Sequence, residues 1–480
     1  MNPARPIRRL HALKSGLDLP QLRLGPNAAL IAVLFVGLVI RLLLAPFGGD
    51  AYDVAVMRMW ADRLASVPLS QFYAAPFLVD HLPGDMWILK FLVTLYRVFS
   101  PTPNLGTPSL LVLLKLVPAL ADAGIAVVLY LIARRFLGRR LSVVVAATFA
   151  LNPASIFSTS IWGQWDSVSA FFAVLSVYLF LRGNPEWSIL SLTYATLIKP
   201  TMAALIPLLA LAFIIQYILP HIHRRGWDNG RGAAEPLQRS LLRALLSVAA
   251  SAALALAVLL PFGVGIAPLP VRWTLFERVS YALGAHPYVS DNAFNLWGLV
   301  YNPLHAGGAQ TDGVVLALGL PARTWGAALF AAAYVAVLFV YWRRRDERAF
   351  VWASVMILFC AFMLPTRVHE RYLLPALALT SLMPLMSRGR WWVYVAMSAT
   401  YFVNVSIVYA VANTTVTPLL VLIAAVAMPL GAAVNLSLFV PLMGAAVGVG
   451  QLRSERPALP ALSLASQSNS PPPPAHDSER

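Results

Sequence analysis

From Asn27 almost to Gln451 the sequence keeps returning to uninterrupted apolar runs rich in Leu, Ala and Val. Many approach the roughly 20 residues a helix needs to cross the hydrocarbon of a bilayer. Membrane-spanning strands would be about half that length and would alternate apolar and polar residues. These runs are too long and too continuous for strands. A helix also satisfies its own backbone hydrogen bonds in lipid. The expected fold is therefore all-α, a polytopic transmembrane bundle. Composition agrees: 59% of the residues are hydrophobic and 12% are charged, against roughly 25% charged in soluble domains.

Basic residues between the runs set the topology. Residues 1–27 include Arg5, Arg8, Arg9, Lys14 and Arg23 and are expected on the cytoplasmic side. The run from Ala28 to Phe47 is too long for a signal-peptide core. No small-residue cleavage site follows it, so it reads as a retained first helix. A second helix over about 108–133 returns to the arginine cluster at 134–140. Runs over 141–151 and 167–181 are short for full spans and are expected to be tilted or shielded. Further runs cover 187–198, 202–219, 244–262, about 325–341, up to 364, 373–386, 391–411 and 417 onward. The count is about twelve. The stretch 418–450 is too long for one plain span and barely enough for two. Residues 28–450 thus form the membrane domain, with outer loops at 48–107 and 263–324. Residues 451–480, with four prolines at 471–474, read as a disordered cytoplasmic tail.

The net charge of +16 does not signal nucleic acid. The positive residues cluster in short loops, as positive-inside topology requires, and form no stripe with interleaved aromatics. The single cysteine, Cys360, excludes an internal disulfide and a cysteine metal cluster. In the first outer loop, 53–64 and 86–97 place apolar residues at helical spacing, as helices lying in the interface do.

Several polar clusters at the outer surface invite both a chemical and a structural reading. Asp50, after Gly48 and Gly49, can take a proton from a hydroxyl at the membrane surface or cap the following helix. Asp80, His81 and Asp85 surround a Pro-Gly turn. One histidine and two carboxylates there are a weak metal signal. Trp162 and Trp165 suit the interfacial belt. Gln164 beside them suits sugar hydroxyls, and Asp166 either joins it or caps the helix at 167. Arg367, His369, Glu370, Arg371 and Tyr372 lie in a turn on the outer side, against the topological bias. Arginine and histidine there suit a phosphate, with Glu370 orienting His369 or pairing with an arginine. Lys199, before Pro200, either snorkels to the headgroups or reaches a phosphate. Asp291, Asn292 and Asn295 mix with aromatics, as in a sugar site or a helix start.

In this order, Gly49-Asp50, Phe72-Tyr73 with Asp80-His81-Leu82-Pro83-Gly84, Leu151-Asn152-Pro153, Trp162 to Ser167, Lys199-Pro200, Asn292 to Trp297 and His369 to Tyr372 resemble the motifs of the GT-C superfamily. These are polytopic glycosyltransferases that use polyprenyl-phosphate-linked sugars, and the nearer resemblance is to bacterial mannosyltransferase-like members. The resemblance implies an inverting transfer of a hexose, mannose first, at the outer face of a bacterial plasma membrane. It implies Asp50 as base, with Asp53 nearby in a less defined role. It implies a donor-phosphate clamp drawn from Arg367, His369, Arg371 and Lys199. Asp80, His81, Trp162, Gln164, Asp166, Asn292, Asn295, Glu370 and Tyr372 follow as substrate contacts. The acceptor is a lipid-linked glycan, a polysaccharide or a protein. No cofactor is indicated, and a divalent cation is left open. The rival class is a lipid or glycan flippase. It fits less well because no internal repeat is evident and the charged motifs lie in loops rather than mid-helix.

Overall fold

The computed structural model describes residues 25–74, 79–100, 108–222, 236–265, 273–300, 310–383 and 390–447. The basic segment before residue 25 and the Pro/Ser-rich tail lie outside these residues. Helix α1 (Pro26–Leu44) begins with proline in its first turn, where the missing N–H is no loss. Gly48 and Gly49, at φ 66° and 103°, turn the chain into α2 (Ala51–Ser66). With α3 (Pro83–Phe99), α2 provides the two helices that the apolar spacing over 53–64 and 86–97 predicts. Phe91, Val98 and Phe99 of α3 stay exposed while Leu89, Leu92 and Val93 are buried.

Helix α4 (Pro108–Ala133) leads to α5 (Arg139–Ala150). The chain does not stop at Asn152-Pro153. Asn152 caps α6 (Pro153–Ile156) by accepting from the N–H groups of Ala154 and Ser155, and a π-helical stretch continues over Phe157–Trp162. The run from Arg139 to Trp162 is thus one element long enough to span. Next come α7 (Asp166–Leu181), α8 (Pro185–Ile198), α9 (Ile206–Phe213), α10 (Leu219–Ile222) and α11 (Leu237–Leu259). The segment after α11 holds a two-residue parallel pairing, Val264–Gly265 with Trp273–Thr274, and α12 (Leu275–Gly284). The chain closes with α13 (Ala322–Arg344), α14 (Glu347–Met363), α15 (Leu374–Thr380), α16 (Trp391–Asn413) and α17 (Pro418–Val447).

Among the described residues, eight helices are long and apolar enough to cross a membrane. The expected count of about twelve is not reached, because four of the runs form shorter helices. Helices α7, α8, α14 and α15 have 16, 14, 17 and 7 residues. Helix α14 is buried along almost its whole length and α15 throughout. Protein, not lipid, surrounds them, which is how a short apolar helix escapes hydrophobic mismatch. The stretch from 418 is one 30-residue helix containing Pro429 and Pro441, not two spans. Near the start of α13, Gly326 lets the end of α14 come close. A Cβ there would stand 3.0 Å from the Thr366 nitrogen and 3.1 Å from the Leu364 oxygen.

Charges also occur inside the helices, which corrects the expectation that they are confined to loops. Arg41 of α1 donates through Nε to Asp122 of α4 at 3.0 Å, through Nη1 to the Ala150 oxygen at 2.6 Å and through Nη2 to Ser155 Oγ at 2.9 Å. Asp122 also accepts from Ser155 at 2.7 Å and Ser167 at 2.6 Å. Both charges are buried and paired. Such a pair joins α1, α4, α6 and α7 without exposing a charge to lipid.

Candidate functional site

The site begins with a structural lysine. Lys115 of α4 donates to the carbonyl oxygens of Phe47 at 2.7 Å, Ser160 at 2.8 Å and Ile161 at 3.2 Å. Gly49 N–H also donates to the Ile161 oxygen at 2.7 Å, and Asp50 N–H to the Trp162 oxygen at 3.2 Å. The turn after α1 and the turn before α7 are therefore fixed together.

That juxtaposition gives Asp50 and Asp53 different partners. Asp50 caps α2: its Oδ1 accepts Asp53 N–H at 2.9 Å, and its Oδ2 accepts Asn413 Nδ2 at 2.7 Å. Asp53, one turn on, accepts from Trp162 Nε1 at 2.7 Å and from Gln164 Nε2 through Oδ2. The capping reading of Asp50 holds, and Asp53 is the carboxylate tied to the Trp-Gly-Gln motif.

Asp166 lies in the first turn of α7, and its side chain does not cap the helix. It pairs with Lys199 Nζ and stands 3.6 Å from Arg371 Nε. Lys199 also lies over the Tyr372 ring, 3.9 Å from its centroid. Arg371 reaches Glu370 at 3.2 Å, so Glu370 pairs with an arginine. Burial pulls Arg371 down, but Glu370, Asp53 and Asp166 outweigh it and hold the guanidinium firmly protonated. Burial pushes Glu370 up to about 7 against the pull of Arg371. Burial lowers Lys199, partly offset by Asp166. His369 is depressed well below its ordinary value by burial and by Arg371, His286 and Lys199. It is therefore a neutral ring near pH 7, not a third cation.

The structure brings Lys199, His369, Arg371, Tyr372, Asp166, Glu370, Gln164, Trp162 and Asp53 into one connected region. It spends others on scaffolding. Arg367, at φ 63°, donates to Asp312 at 2.6 and 3.1 Å and to the Leu283 oxygen at 2.8 Å. It ties its own turn to the segment between α12 and α13 and has few donors left for a phosphate, against its expected place in the clamp. Asn295 is fully buried, accepting from Trp297 and Gly298 N–H and donating to the Phe362 oxygen. That is a turn-forming role, not a sugar contact. Asn292, at φ 66°, gives its carbonyl to Asn404 Nδ2 at 2.7 Å. His81 pairs with Asp85, and its ring meets Trp60 at 5.0 Å between centroids. Asp80 is half-buried beside it.

Sequence reasoning missed Lys115, Asn413 and His286. A lysine inside an apolar span was a signal in plain view. Asn413 and His286 carried none, since only the fold brings them to Asp50 and His369. His286 Nδ1 lies 3.4 Å and His369 Nε2 3.1 Å from Asp291 Oδ2.

Residues 73–279 match the model of the family described as PIG-U, GPI transamidase subunit PIG-U. No curated protein sequence matches the chain. Two solved structures from Archaeoglobus fulgidus are similar at 14% identity. One is the oligosaccharyltransferase AglB in complex with an inhibitory peptide and a dolichol-phosphate, with TM-score 0.45, covering 87% of this chain and 56% of that one. The other is the oligosaccharyltransferase tethered to an acceptor peptide containing the NVT sequon, with TM-score 0.42, covering 87% and 55%. The chain thus spans a little over half the length of these proteins. On its helical architecture with eight helices long and apolar enough to span a bilayer among the described residues, and on its similarity to PIG-U over residues 73–279, the chain is a polytopic membrane protein.

Proposed function

We propose that the protein transfers a hexose, mannose first, from a polyprenyl-phosphate donor to a glycan, polysaccharide or protein acceptor. The reaction takes place at the outer face of a bacterial plasma membrane. The observation that carries this reading is the meeting of Lys199 and Arg371 on Asp166, with Lys199 over the Tyr372 ring. A departing polyprenyl phosphate gains negative charge, and fixed cations beside it stabilise the transition state. The acceptor hydroxyl needs a base on the other side of the sugar. Asp53 is better suited than Asp50, because it faces the Trp162 and Gln164 side chains while Asp50 is committed to its cap. Trp162, Gln164 and Tyr372 offer stacking and hydrogen bonds to the sugar.

Purified protein in lipid should transfer sugar from polyprenyl-phosphate mannose to a membrane-extract acceptor pool, with polyprenyl-phosphate glucose as the comparison. Lys199→Ala and Arg371→Ala should each weaken donor binding by about 10-fold or more, the scale of a charge-assisted hydrogen bond. Donor affinity unchanged in both folded variants would remove the clamp. A second reading, a subunit of a transamidase assembly, is favoured by the match to PIG-U over 73–279. It expects retained donor binding with no transfer by the isolated protein under any donor. Movement of donor between leaflets without transfer would instead identify a flippase.

A further inference from the structure

We propose that His286, Asp291 and His369 bind a divalent first-row transition cation of the Zn2+ class. The three candidate ligand atoms lie within 4.8 Å of one another. Asp291 Oδ2 stands 3.1 Å from His369 Nε2 and 3.4 Å from His286 Nδ1. Yet this buried oxygen has no hydrogen-bond partner. Two ring nitrogens thus face a carboxylate oxygen at close range without hydrogen-bond geometry, as ligands do when they face a common centre. The two distances to Asp291 Oδ2 fit as well. Ligands about 2.0 Å from a tetrahedral Zn2+ lie about 3.3 Å from one another.

The frame around the three residues is rigid. Asp291 and Asn292 each pair through the backbone with His369. Arg367 N–H donates to the Tyr288 oxygen at 3.0 Å, and its side chain is locked to Asp312. The segment carrying His286 and Asp291 is therefore stitched to the turn carrying His369. The ligand set also has the right chemistry: two imidazoles and one carboxylate suit Zn2+ and its neighbours rather than Mg2+ or Ca2+. Three protein ligands leave a fourth position for an outside atom, as in catalytic zinc sites.

Arg371 follows His369 by two residues, and Lys199 lies over the Tyr372 ring, whose centroid is 5.3 Å from that of His369. They disfavour a bare cation but favour one whose open position holds an anion. The donor's phosphate oxygen is the candidate for that position. This last step rests on the glycosyltransferase reading, whereas the metal site does not.

The test is metal binding by the full chain in lipid nanodiscs, tag removed and no sugar donor present. Zn2+ is followed by calorimetry and Co2+ by its visible absorption. Wild type should take up one equivalent, with Co2+ bands of a four- or five-coordinate nitrogen and oxygen site. His286→Gln, a change at a partly exposed side chain, and Asp291→Asn should each lower affinity by more than about 100-fold, above the loss typical of outer-shell changes. His81→Ala, which removes the other histidine–carboxylate pair, should leave binding unchanged. Failure of wild type to bind, equal binding by His286→Gln, or loss of binding in His81→Ala would each overturn the site. Loss of sugar transfer with metal binding intact would count against the transferase reading alone.

Discussion

Asp53→Asn should reduce sugar transfer by about 10²- to 10⁴-fold, the contribution of a positioned general base, while donor binding stays close to wild type. Asparagine keeps the size of the side chain and can still bond Trp162 and Gln164, but it cannot take a proton. Asp50→Asn is the matched comparison. Asparagine caps helices about as well as aspartate, so α2 should survive although the bond accepted from Asn413 Nδ2 is lost, and transfer should fall far less. The measurement is the initial rate at saturating donor, with donor affinity determined separately for each variant. Loss of transfer in Asp50→Asn with an active Asp53→Asn would assign the base to Asp50. Equal loss of donor affinity and rate in Asp53→Asn would make it a binding residue, because only an interaction confined to the transition state spares the ground state.

The largest effect on stability is expected at Asp122. Asp122→Ala leaves the Arg41 guanidinium buried with no counter-charge. Removing one partner of a buried pair typically costs about 3–5 kcal/mol. Ser155 and Ser167 lose their acceptor as well. Replacing both charges, Arg41→Met with Asp122→Leu, should cost much less, because no isolated charge remains. Thermal unfolding in detergent, read by the retained fraction of monodisperse protein, separates the cases. A double variant as unstable as Asp122→Ala would show that the pair acts through packing instead.

The sequence made the class of fold plain because a bilayer admits few solutions, and apolar length with basic loops announces one of them. It overstated the number of spans for a physical reason. Helices α14 and α15 are as apolar as lipid-facing helices, but protein covers them. Composition does not say which kind of apolar surroundings a helix meets. The Pro153 break was also misleading, since proline at the start of a new helical turn continues a span as readily as it ends one. The site was half legible. Trp162, Gln164, Asp166, Lys199 and Arg371 stood out as polar residues where a membrane protein has few. The roles of Asp50 and Asp53 were not distinguishable, because they depend on which oxygen meets Asn413 and which meets Trp162. Arg367 looked the equal of Arg371 until Asp312, 55 positions earlier, was seen to hold it.

The hairpin of α13 and α14 has a further consequence. The two helices start from one tight turn, yet α13 has 23 residues and α14 has 17. At a rise of about 1.5 Å per residue, the shorter one ends roughly 9 Å lower. The close approach of residues 364–366 to Gly326, a turn inside α13, agrees with that arithmetic. The segment bearing His369, Glu370 and Arg371 therefore leaves its helix below the rim set by its longer neighbour. Mobile ions screen exposed charges over about 8–10 Å, but far less those walled in by protein. The charges of this recessed segment are thereby insulated from the ionic strength of the surrounding medium.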